Sequence, residues 1–279
     1  MLAWRISGNS AWVSAFFPTT SAILLVGFAV IGLWLGLQVS AHFGSTDLLR
    51  KGWTLIALSN ILLGTNVVLL QLLRGNSRLF PFLLTATGGE VYLSAARQNG
   101  VTFGGPIRLI LIAAGLYFVL KAYRQAGLLG KLKILDWALI ILFGVYAGRN
   151  LVSIVAAVQH QAGSLTSWQV FGWPVELVLW LLLTQTLLLF RSARQMGPGR
   201  IGRCWTVLSF GIFLTVASDI GIWAITYGYL PGYWAVLLYY PWVAAAAAFA
   251  RAPALQLEAI RAAESGGSGE EGLLREPED

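Results

Sequence analysis

Residues 21–41 read SAILLVGFAVIGLWLGLQVSA, a stretch without a single formal charge. As a helix it reaches ~31 Å at ~1.5 Å per residue, which matches a bilayer hydrocarbon core of ~30 Å. Six more apolar runs follow at 53–73, 107–123, 134–158, 168–190, 201–227 and 233–250. Inside lipid every backbone polar group needs an internal partner, so only helices and closed barrels can span. These runs are too long and too continuous for barrel strands of ~10 residues. Charged residues make up 11% of the chain and apolar ones 57%, whereas soluble domains carry about 25% charge. The fold class is therefore all-α: a polytopic membrane protein with seven transmembrane helices.

The loops orient the bundle. Arg50 and Lys51, then Lys121, Arg124, Lys131 and Lys133, then Arg191, Arg194, Arg200 and Arg203 flank the first, third and fifth connections, while the fourth and sixth have no lysine or arginine. The positive-inside rule makes the first set cytoplasmic, with the N-terminus outside and the C-terminus inside the plasma (inner) membrane. Val39-Ser40-Ala41 imitates a signal-peptidase site, yet what precedes it is too long and its apolar core too extended for a signal peptide. The net charge of +7 thus belongs to loop ends that meet anionic lipid headgroups, which makes membrane lipids the expected partners and nucleic acid not one. Residues 1–20 are expected as an extracytoplasmic segment and 74–106 as a long outer loop, either a lid or interfacial segment or a plain connector. Residues 21–250 form the helical domain, and 251–279 a cytoplasmic tail with a short helix at 253–263 before a disordered Gly/Ser/Glu-rich end. The Gly32/Gly36 spacing predicts a close helix contact or a dimer seam.

One polar cluster interrupts the apolar pattern. Tyr146, Arg149, Asn150 and Ser153 recur at i, i+3, i+4 and i+7, one stripe of a helix. Glu176, Asp219, Asn66, Tyr239 and Tyr240 come from other runs, and Trp180 shares a face with Glu176. On a rise of ~1.5 Å per residue, Arg149 lies ~22 Å from the inner end of its helix and Glu176 ~12 Å from the outer end of its own. The groups converge in the outer half. Ionisable residues at that depth face protein or a watery cavity rather than lipid. Three readings follow: an Arg149–acid pair that only fixes packing, a pocket for a small or amphiphilic ligand walled by aromatics, or an ion relay. Asp136 weakens the relay, because it stands near the inner side and is expected to pair with a loop lysine or arginine.

Several chemistries are excluded. His42 and His160 fall at opposite faces and cannot share a haem. Every lysine lies at or near an inner loop, so no helix offers a retinal-type amine. No G-x-S-x-G occurs, Asp136 and Asp219 differ in depth, and one cysteine supports neither a disulfide nor a thiolate metal cluster. The expectation is a non-enzyme with no cofactor and no metal. The layout is similar to the seven-helix input domains of bacterial sensors. The Arg149-to-Glu176 spacing also resembles the fungal lipid-translocating exporter family, but Ser153, Ala156 and Gln169 stand where that pattern has further charge, so the family is not assigned. The functional expectation is a receptor or sensor module whose outer-half pocket takes a small or amphiphilic ligand and which reports to a cytoplasmic or intramembrane protein partner. The alternatives are a transporter or flippase of a lipid-like or small polar solute, for which the inner halves offer only Asp136, Asn60, Gln38 and Thr184, and a structural subunit of a larger membrane complex.

Overall fold

The computed structural model describes residues 10–75, 104–160, 167–197, 199–226 and 235–273. The bulk of the expected outer loop, 76–103, lies outside the described residues. Seven helices follow in order: α1 Ser10–Ala41, α2 Leu48–Gly75, α3 Gly104–Gln125, α4 Ile134–His160, α5 Ser167–Gln195, α6 Arg200–Thr226 and α7 Ala235–Leu273. Among the described residues, four stretches are long and apolar enough to cross a membrane: Thr20–Ala41, Leu177–Gln195, Arg200–Ser218 and Tyr240–Ser265. Outward-facing Ile23, Ile141, Val145 and Phe210 are 67%, 62%, 66% and 58% exposed. Water would not tolerate so broad an apolar girdle, whereas lipid does.

The packing is a ring with one helix outside it. The principal contacts run α1 to α2, α2 to α3, α3 to α5, α5 to α6, α6 to α7, and α7 back to α1. Among the described residues the principal contact of α4 is with α5, so it stands against the outer wall of a six-helix ring. Between lipid-facing helices the hydrophobic effect contributes little, and close approach by small residues takes over. Gly36 does this between α1 and α2: a methyl there would fall 2.8 Å from Ala57 Cβ. Gly115 does it between α3 and α2, where an added Cβ would meet the Gly52 carbonyl at 2.9 Å. The expected contact at Gly32/Gly36 is therefore an internal α1–α2 seam.

The ends of the helices that carry the basic connections meet in one aromatic core. Trp53 in the second turn of α2 stacks on Trp205 in the second turn of α6, with centroids 5.1 Å apart, and the edge of Tyr123 in α3 closes on Trp205 at 5.7 Å. Trp53 and Trp205 are both 1% exposed.

α7 differs from expectation. It does not stop near Ala250 but continues unbroken to Leu273, with Pro241 and Pro253 inside it. Proline at 253 removes a single bond, the one to the Phe249 carbonyl, and the following residues supply reasons to stay helical. Leu255 and Leu257 are buried in the main core with Ile260 against it, Arg200 Nη1 donates to the Glu258 carbonyl at 2.9 Å, and Arg251 pairs with Glu258 at 3.1 Å.

Candidate functional site

The sequence-predicted cluster distributes over five helices. Tyr146, Arg149 and Asn150 lie on α4, Trp180 and Glu176 on α5, Asn66 on α2, Asp219 on α6, and Tyr239 and Tyr240 on α7. The side chains of Asn66, Asn150, Glu176, Asp219 and Tyr239, with Trp173 and Trp223, lie outside the described residues. Of the rest, the structure brings Tyr146 and Trp180 together. They line a crevice with Phe143 and Ala147 of α4, Leu179 of α5 and Ile220 of α6. It is a shallow, open cleft with a volume of about 10 Å³, room for about one water. Arg149, one turn beyond Tyr146, is exposed. Tyr240 is 52% exposed on α7, a helix without a principal contact to α4.

The crevice has a built floor. Trp180 Nε1 donates to the Ile140 carbonyl at 2.9 Å, and Gly144 makes the approach possible, since a methyl there would come within 3.1 Å of that nitrogen. Gly144 thus serves as a seat for the indole. Because the polar handle of Trp180 is committed to joining α4 to α5, its ring face is what remains for a ligand.

At the basic end, α4 is tied to α5 a second time. Asp136, 2% exposed, receives two hydrogen bonds from Arg191, Nε to Oδ2 and Nη2 to Oδ1, each 2.7 Å. The backbone N–H of Lys133 donates to Asp136 Oδ2 at 2.7 Å. Asp136 stands in the first turn of α4, and these three hydrogen bonds satisfy its carboxylate where burial would otherwise penalise the charge. Next to the pair, the Gly130 N–H donates to Ser192 Oγ at 2.8 Å, and that hydroxyl donates to the Leu188 carbonyl at 2.9 Å. The expectation of a loop lysine or arginine for Asp136 is met by Arg191.

No protein-family model, no curated protein and no solved structure matches the chain. The site therefore rests on its own geometry. Among the described residues, no three His, Cys, Asp or Glu side chains gather as a metal site would need.

Sequence reasoning missed a second polar locus, inside the ring. Arg108 in α3 is 8% exposed, and its guanidinium lies 5.3 Å over the Phe249 ring of α7. An added Cβ at Gly32 would touch Asn60 Nδ2 at 3.0 Å and the Phe249 carbonyl at 3.3 Å, so α1, α2, α3 and α7 meet there. An arginine at the start of an apolar run reads as interfacial. The signal that finds it is spacing: Arg108, Ile112, Leu116 and Val119 form one stripe, and all are buried.

Proposed function

We propose that the chain is a seven-span membrane sensor, N-terminus outside and C-terminus in the cytoplasm, whose α4–α5 crevice opens to take a small or amphiphilic ligand. The observation that carries this reading is α7. Its 39 residues extend ~58 Å at ~1.5 Å per residue, almost twice a hydrocarbon core of ~30 Å. One rod thus joins the level of Tyr240 to the far side of the membrane, where Glu258 receives Arg200. A shift at the outer end reaches the cytoplasmic side without crossing a loop, and the protein partner would read it there. The crevice supports the same reading: Tyr146 and Trp180 offer ring faces, and Arg149 lies one turn outward for a polar or anionic head.

The test is to purify wild type, Arg149→Ala, Glu176→Ala and the double variant in nanodiscs and compare retained amphiphiles by native mass spectrometry. The expected result is an adduct on wild type that is lost in the double variant while the melting temperature holds. An adduct of equal occupancy in all four sinks the pocket. A second reading, passage of a solute, is favoured by one observation only, the interior of the ring.

A further inference from the structure

On α6, Thr206, Thr215 and Ser218 each return their hydroxyl to the carbonyl four residues back, at 2.8, 3.0 and 2.7 Å. This is how such residues satisfy themselves in an apolar helix. Ser209 does not: it is 0% exposed and its Oγ has no hydrogen-bond partner among the described residues. Asn60 Oδ1 and Trp53 Nε1 on α2, and Gln185 Oε1 on α5, share that condition, on side chains 1%, 1% and 6% exposed. Trp53, Ile56, Ala57 and Asn60 form one face of α2, as Trp205, Ser209, Ile212 and Val216 do of α6. Those faces are joined across the ring by the Trp53–Trp205 stack. Asn60 lies ~10 Å further along α2 than the stack, and Ser209 ~6 Å further along α6. The carbonyl of Phe249, whose helical donor Pro253 cannot supply, faces Gly32 beside Asn60.

A buried polar atom without a partner costs free energy that a native structure ordinarily recovers from water or a ligand. Here Asn60 Oδ1, Ser209 Oγ and Gln185 Oε1 are buried among the apolar side chains packed within one ring, and Trp53 Nε1 sits in the aromatic stack at its basic end. We propose that the six-helix ring is a closed conduit for a small neutral solute that donates and accepts hydrogen bonds, held between Asn60 and Ser209, and that Trp53, Trp205 and Tyr123 are the gate at its basic end. A neutral solute matches Asn60 Oδ1, Ser209 Oγ, Trp53 Nε1 and the Phe249 carbonyl, and the Arg108 guanidinium over the Phe249 ring, the one buried charge inside the ring among the described residues, turns cations away. The other buried charge among them, Asp136, is engaged by Arg191 outside the ring.

The proposal stands apart from the α4–α5 crevice, and its test touches neither Arg149 nor Glu176, so the two can fail separately. Proteoliposomes of wild type, Trp53→Ala and Trp53→Ala/Asn60→Leu are mixed with urea or glycerol, and swelling is followed by stopped-flow light scattering. Trp53→Ala should swell several-fold faster than wild type, and adding Asn60→Leu should remove most of the gain. Trp53→Ala that elutes as folded protein but swells like empty liposomes overturns the proposal, as does a gain indifferent to Asn60→Leu. Should Trp53→Ala fail to fold, Trp205→Leu takes its place.

Discussion

Gly36→Ala is the sharpest test of the ring. The new methyl would fall 2.8 Å from Ala57 Cβ and 3.4 Å from its Cα. Carbon atoms rest ~3.5–4.0 Å apart, so α1 and α2 must separate by about 1 Å at that level. Overpacking of this kind costs ~1–3 kcal/mol. At ~2–4 °C per kcal/mol for a chain of roughly this size, the melting temperature should fall by ~2–12 °C. The protein supplies its own reporter: Cys204 is the single cysteine and is 0% exposed, so a fluorogenic maleimide in detergent reads unfolding as the thiol emerges. Ala57→Gly removes the atom struck, at a helix-propensity cost of about 1 kcal/mol. If the contact is real, Gly36→Ala/Ala57→Gly melts above the sum of the two single losses, a coupling of ~0.5–3 kcal/mol. Strict additivity, or a Gly36→Ala protein that melts with wild type, would refute the α1–α2 seam and with it the closure of the ring.

Asp136→Asn should lower the melting temperature at pH 7. The amide keeps the shape but loses the charge and one of the two oxygens that accept from Arg191, leaving the guanidinium short of a partner; the fall is read by the same thiol melt. Trp180→Phe deletes the bond to the Ile140 carbonyl and should cost about 1 kcal/mol; Gly144→Val should cost a similar amount, and the pair little more than either, read by the same thiol melt. Arg108→Lys keeps the charge but loses the planar face over Phe249, a loss of ~0.5–2 kcal/mol. Phe249→Leu in the Arg108→Lys background should then add less than it does in wild type.

What the sequence discloses follows from what membranes demand. Helix existence was legible because apolar length is itself the signal: the seven runs correspond to α1 through α7, though α1 begins at Ser10 rather than near 21. The Gly32/Gly36 seam was legible because small residues four apart mark a close approach. The partner class of Asp136 was legible because a carboxylate at a basic end has cations nearby. The exclusion of α4 from the ring was not. Helices apolar on every side give no moment to say which face turns inward, so neighbour relations are invisible in the pattern. α7 was cut short because the chain turns polar from Arg251, and the buried Leu255 and Leu257 that keep it helical could not be foreseen. Of the candidate site, the sequence grouped Tyr146 with Trp180 by depth alone, while Arg108 escaped because its position at the start of a run disguised its burial.

α4 is the helix whose attachment is most economical. Burial of its apolar surface hardly favours the ring over lipid, as its 62% exposed Ile141 and 66% exposed Val145 show. Its described tethers are the indole bond from Trp180, the Asp136–Arg191 pair and, through the loop before it, Gly130 on Ser192. All of them end on α5. On the proposed function, a ligand that wedges between Tyr146 and Trp180 would load α5 first, and α5 touches both α3 and α6 in the ring. The two hydrogen bonds that Arg191 donates to Asp136 resist separation at the basic end, so displacement of α4 at the crevice would turn α5 about a fixed point instead of carrying it away. The next helix along the ring from α5 is α6, and the next is α7. The order in which the helices pack is thus also the order in which a strain entering at the crevice would travel toward Glu258, a sequence that cutting the Asp136–Arg191 pivot should abolish while leaving ligand retention intact.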